Sequence, residues 1–123
     1  MITLKKSIFM ACLCILQVFL MQKINASVRP LRKYTLVVFM AADNNLHRYA
    51  EYNIKQMELT GSNENINILV QINTPGSSNI TQRYLIEKGK KTLITTPGQT
   101  PTQKLDSGNP QTLIDCVTWA MKY

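Results

Sequence analysis

The stretch Tyr34-Thr35-Leu36-Val37-Val38-Phe39-Met40 constrains the fold more than any other part of the chain, because it is apolar on both faces and rich in β-branched residues. A strand with one wet face alternates apolar and polar residues. A run that does not alternate reads as a central strand of a parallel sheet, with helices covering both faces. Asp43-Asn44-Asn45 follows and can cap a helix that begins near Leu46. Leu46, Ala50, Ile54 and Met57 fall three or four apart and predict a core-facing stripe, with Gly61 as the stop. Ile66, Ile68, Val70 and Ile72 alternate with Asn67, Leu69 and Gln71, which predicts a second strand with one more apolar face. Strand, helix and strand at this spacing make a βαβ unit.

Pro75-Gly76-Ser77-Ser78 breaks the pattern. Residues 83–87 and 92–95 then flank Lys88-Gly89-Lys90-Lys91 and predict a hairpin, and 97–108 is a polar loop with no period. Asn109-Pro110 opens a last helix, with the cap at Asn109 and proline in its first turn. Leu113, Cys116, Val117, Ala120 and Met121 predict its buried stripe. Such a helix reads as a second crossover, which is expected to deliver a third parallel strand, and none follows it in the sequence. The first strand would then keep a long apolar edge unpaired, an aggregation hazard. The pattern is that of part of a larger α/β domain.

Ahead of this pattern stands a leader. Lys5 and Lys6 precede an apolar stretch from Ile8 to Met21, and Ile24-Asn25-Ala26 supplies a small residue for signal peptidase. The grammar is that of a cleaved signal at 1–26, with 27–33 as a linker. An uncleaved anchor fits less well, because the run falls short of the ~20 residues a spanning helix needs. A lipoprotein reading of Ala11-Cys12 is disfavoured by Phe9 and Met10. The expected location is secreted, periplasmic or extracellular, with no membrane attachment after cleavage. Cleavage removes Lys5, Lys6 and Lys23 from a net charge of +7. The remaining basic residues are scattered without interleaved aromatics, so a nucleic-acid partner is not expected. Cys12 and Cys14 also leave with the signal, and Cys116 alone cannot form an intramolecular disulfide.

Few residues carry chemistry. Cys116 lies in mid-helix on the apolar stripe, where core packing outweighs a nucleophilic role. His47, the sole histidine, reads as a solvated helix residue without a visible partner. Asp43, Asn44 and Asn45 combine capping chemistry with the address at which open α/β sheets bind ligands, the carboxyl end of a strand. They are candidates for an active-site rim. No metal-ligand spacing, phosphate-binding glycine loop or Ser/His/Asp arrangement is present, and no cofactor is expected. Asn79-Ile80-Thr81 matches the glycosylation sequon, which matters only in a eukaryotic secretory pathway.

Residues 34–46, ending Met40-Ala41-Ala42-Asp43-Asn44-Asn45-Leu46, resemble the opening of the clostripain-like cysteine peptidases. The resemblance continues in order through Gln56-Met57-Glu58, Gly61-Ser62, residues 65–71, residues 81–85, Gly108-Asn109-Pro110-Gln111-Thr112-Leu113 and Trp119-Ala120. It implies that 34–123 is the N-terminal part of a peptidase domain, a partial caspase-like three-layer α/β sandwich with a mostly parallel sheet. It also implies a secreted endopeptidase that cuts after arginine or lysine, some members binding calcium. The family's catalytic histidine and cysteine stand at the ends of its third and fourth core strands. Neither His47 nor Cys116 matches those positions, so the resemblance gives this chain no catalytic residue and a peptide substrate only when the rest of the domain is supplied. A secreted binding or structural protein reusing the half-domain is the alternative from a different class.

Overall fold

The computed structural model describes residues 31–75 and 80–123. The leader and the sequon's Asn79 lie outside the described residues. Four strands and two helices follow in the order β1 (Tyr34–Ala41), α1 (His47–Thr60), β2 (Ile66–Asn73), β3 (Gln82–Glu87), β4 (Lys90–Leu93) and α2 (Pro110–Ala120). The strands lie side by side in the order β1-β2-β3-β4. The sheet is mixed: β1 and β2 run parallel, with Val38 beside Val70, while β2–β3 and β3–β4 are antiparallel. Among the described residues β1 is paired on one side only.

Residues that alternate along the strands sort into two cores. On one face Ile68, Val70, Ile72, Tyr84 and Ile86 pack with Ala50 and Ile54 of α1, joined by the half-buried Val38, Met40 and Met57. On the other, Leu69, Leu85 and Ile94 pack with Cys116, Trp119 and Ala120 of α2, joined by Val37, Phe39 and Tyr123. The two helices therefore cover opposite faces, as the doubly apolar β1 requires.

Three expectations are corrected. The second strand has no wet face: Asn67, Gln71 and Asn73 are buried together with the apolar residues. Leu46 is 58% exposed, and the helix begins one residue later without a side-chain cap. Asn44 instead forms a turn ahead of it: its Oδ1 accepts the Leu46 N–H at 2.8 Å and its Nδ2 donates to the Ala41 carbonyl at 3.0 Å. In α2 the apolar stripe is wider than the buried one. Thr112, Cys116, Trp119 and Ala120 face the sheet, while Leu113 (48%), Val117 (43%) and Met121 (81%) stay exposed. A helix resting on a sheet turns only one arc inward, and among the described residues nothing covers the remaining apolar arc.

The N-terminus of α2 forms as expected, with Asn109 Oδ1 accepting the Gln111 N–H at 2.9 Å and Pro110 in the first turn. Gly61 ends α1 at φ 65°, and a Cβ built there would lie 2.2 Å from the Lys88 backbone nitrogen. The hairpin therefore crosses the end of α1 at backbone distance, held also by the Gly89 N–H donating to the Glu58 carbonyl at 2.8 Å. Gly61→Ala is expected to destabilise the protein by more than about 1 kcal/mol, since it adds a clash to an unfavourable φ. A urea melt checks this.

Burial raises the Cys116 thiol pKa, only partly offset by the nearby Arg83 charge. The folded state then holds its proton more tightly than the unfolded chain. Stability is full below the thiol's unfolded value of about 8.5 and declines as pH rises beyond it. Chemical denaturation between pH 7 and 9.5 is expected to show this decline, with a shallower slope in Cys116→Ala. Identical slopes would contradict it.

Candidate functional site

β1 and β2 are parallel, so their carboxyl ends open on the same side, where the chain leaves β1 toward α1. A cleft of about 440 Å³ lies there, lined by Ala41, Asp43, Asn73, Lys104, Ser107 and Gly108 among others. Such a position, outside the carboxyl ends of parallel strands, is where open α/β sheets take their ligands.

Its walls are tied to the sheet by side chains. Asn73, the last residue of β2, donates through Nδ2 to the Leu105 carbonyl at 2.6 Å and to Ser107 Oγ at 2.8 Å. Thr81 Oγ1 donates to Asn73 Oδ1 and accepts the Leu105 N–H at 2.8 Å. Asp43 pairs with Lys104 across the cleft. The aperiodic segment after β4 is thus a strap, seated on the polar row that β2 and β3 turn toward the α2 side.

That row continues to Arg83, 6% exposed. Its Nε donates to Gln71 Oε1 at 2.8 Å and its Nη1 to the Gln99 carbonyl at 2.7 Å, while the guanidinium lies 4.6 Å from the centre of the Trp119 ring. Desolvation lowers its pKa, opposed by Cys116 and Asp115. Arg83 also forms the floor of a second cleft of about 350 Å³ between the strap and the Asp115, Thr118 and Lys122 flank of α2.

Of the sequence candidates, Asp43 lines the first cleft, Asn44 builds the turn beside it, and Asn45 is exposed in that turn. His47 is exposed at the start of α1, its Nδ1 3.0 Å from the Asn44 carbonyl oxygen. Cys116 is fully buried in the core beneath α2. With α1 and α2 on opposite faces, the sheet stands between them, and they do not form a nucleophile–base pair. Among the described residues no group of His, Cys, Asp and Glu could hold a metal ion. No described helix is long and apolar enough to cross a membrane.

Sequence reasoning missed Asn73, Lys104 and Arg83. Asn73 had a signal: it ends the second parallel strand, the same address that singled out Asp43. Lys104 had none, because the loop that carries it has no period.

The geometry defines a partial caspase-like α/β half-domain, with its cleft at the carboxyl ends of the parallel pair. No protein-family model and no curated protein matches the chain. Solved structures do. A Bacteroides fragilis cysteine protease ("B. fragilis cysteine protease") superposes with a TM-score of 0.57 at 19% identity, over 75% of this chain and 78% of that one. An inactive zymogen of a C11 protease from Parabacteroides distasonis gives 0.58 at 21% identity, over 77% of this chain. The match spans only 28% of the zymogen chain. The likeness is one of fold, and it agrees with the fold that the Tyr34–Leu46 resemblance implies.

Arg83→Ala would leave Gln71 Oε1 without its buried donor and remove the strap's anchor at Gln99. It is expected to cost about 3 kcal/mol. A urea titration measures this, and a loss below about 1 kcal/mol would contradict the assigned role.

Proposed function

We propose that this chain is the N-terminal part of a secreted clostripain-like cysteine endopeptidase, supplying the β1–β4 half-sheet and the cleft rim but not the catalytic dyad. The observation that carries the reading is the coincidence of two independent features. The residues that resemble the peptidase family, 40–46, stand at the carboxyl end of β1 in a fold shared with two solved cysteine proteases. The leader supports secretion, and the resemblance supports cleavage after arginine or lysine.

On this reading the nucleophile and its base come from strands paired beyond β1's open edge. Asp43, Asn44 and Asn73 would then border the site from the β1–β2 side. Acyl transfer needs a thiolate, a base and oxyanion donors in one place. His47 and Cys116 cannot supply the first two from opposite faces of a sheet.

The full chain, assayed on arginyl and lysyl peptides with a thiol reductant and calcium, is expected to show no turnover. Turnover that disappears in Cys116→Ala would overturn the reading. The coding sequence after the Tyr123 codon is expected to specify an apolar strand ending in His-Gly and a later one ending in cysteine. A continuation with neither would favour the non-enzymatic alternative.

A further inference from the structure

A charge taken out of water is as a rule paired with an opposite one. Arg83 is buried, yet among the described residues it forms no salt bridge. Asp115 is close enough to act on its charge but makes no salt bridge with it. A guanidinium carries five N–H donors in a planar fork. Gln71 takes the Nε donor and the Gln99 carbonyl takes one on Nη1. Nη2 makes no hydrogen bond among the described residues, and it is not closed off from solvent as the Trp119 indole nitrogen is.

Arg83 is the floor of the cleft of about 350 Å³ between the strap and α2. That volume is within the range that holds a small organic molecule. Trp119 lines the same cleft, and its buried indole N–H has no acceptor. The guanidinium and the indole that stack here thus both keep donors unused. At the rim, Thr102 and Thr118 add exposed hydroxyls and Lys122 an exposed ammonium. Asp115 is the one carboxylate among the lining residues, and its Oδ1 accepts from Gln111 Nε2 at 2.7 Å. The floor is donor-rich and cationic, and a single anion stands on the wall.

From this arrangement we infer that the cleft binds a small carboxylate, the α-carboxylate of a free amino acid or of a peptide's C-terminal residue. A carboxylate is planar and accepts parallel N–H bonds from a guanidinium fork. It supplies the counter-charge that Arg83 lacks, and Lys122 adds a second cation at the rim. Asp115 sets the choice of anion. A phosphate, with more than one negative charge, meets its repulsion, whereas an ammonium beside a carboxylate meets its attraction. The site shares only Leu105 of the strap with the cleft at the ends of β1 and β2. It is built wholly from residues of this chain and does not rest on the peptidase reading. A ligand held between Arg83 and the strap binds the folded state alone and stabilises it.

Trp119 is the chain's single tryptophan, so its indole N–H gives one identifiable resonance in a nitrogen-15 spectrum of the full chain. Titration with L-alanine and with N-acetyl-L-alanine is expected to shift that resonance saturably in the millimolar range. L-Alaninamide, which lacks the carboxylate, should leave it in place, and inorganic phosphate should bind more weakly than either carboxylate. The tighter of the two carboxylates identifies the source: L-alanine if the ammonium is used, N-acetyl-L-alanine if the ligand is a peptide end. Arg83→Lys keeps the charge and loses the fork, so it should abolish the shift while far-UV circular dichroism is unchanged. Lys122→Glu, at an exposed rim position, should weaken binding roughly threefold. If Arg83→Lys does not fold, Lys122→Glu and the alaninamide control decide. No saturable shift with either carboxylate overturns the inference. An equal response to alaninamide or to phosphate, or binding indifferent to both variants, overturns it as well.

Discussion

The guanidinium of Arg83, enclosed between sheet, strap and α2, is the contact on which the remaining arrangement of the α2 face depends. It satisfies Gln71 on β2, holds the strap at Gln99, and lies against the Trp119 ring. A buried cation is tolerated only when its donors are used and its charge is stabilised nearby. Here a side-chain amide, a backbone carbonyl and an indole face share that task. With Arg83 in place, the neighbouring Asn73 and Thr81 can hold Leu105 and Ser107, and Lys104 is carried to Asp43. The cleft at the carboxyl ends of β1 and β2 is thus shaped by a loop that has no regular structure, fastened by polar residues of the sheet.

The opposite edge of the molecule is governed by what β1 lacks. Its side chains meet helices on both faces, as in an interior strand, while among the described residues its backbone is bonded on one side only. On the α2 face, exposed Leu113, Val117 and Met121 continue the same asymmetry. Apolar area of this extent along one side of a small domain marks an interaction surface. The proposed peptidase reading covers it with the rest of a catalytic domain.

Much of this was legible in the sequence because it rests on local rules. The absence of alternation in residues 34–40 identified a strand covered on both faces, Asn109-Pro110 marked a helix start, and Lys88-Gly89 lies between the paired strands of the hairpin. The position of Cys116 in a core was equally visible from its place among apolar residues. What could not be read was tertiary. Asn67, Gln71 and Asn73 follow the pattern of a wet strand face, and only the strap and α2, distant in sequence, make that face dry. Leu113, Val117 and Met121 have the spacing of a core stripe, yet the helix turns Thr112 and Trp119 inward instead. An apolar stripe wider than a helix can bury was itself the sequence trace of the open side.

Amide hydrogen exchange along β1, read residue by residue, tests the central claim most directly. In dilute solution the amides of Leu36, Val38 and Met40, turned to β2, should be protected, and those of Val37 and Phe39 should exchange freely. Equal protection of both sets in dilute solution would contradict the account, because β1 would then already be an interior strand.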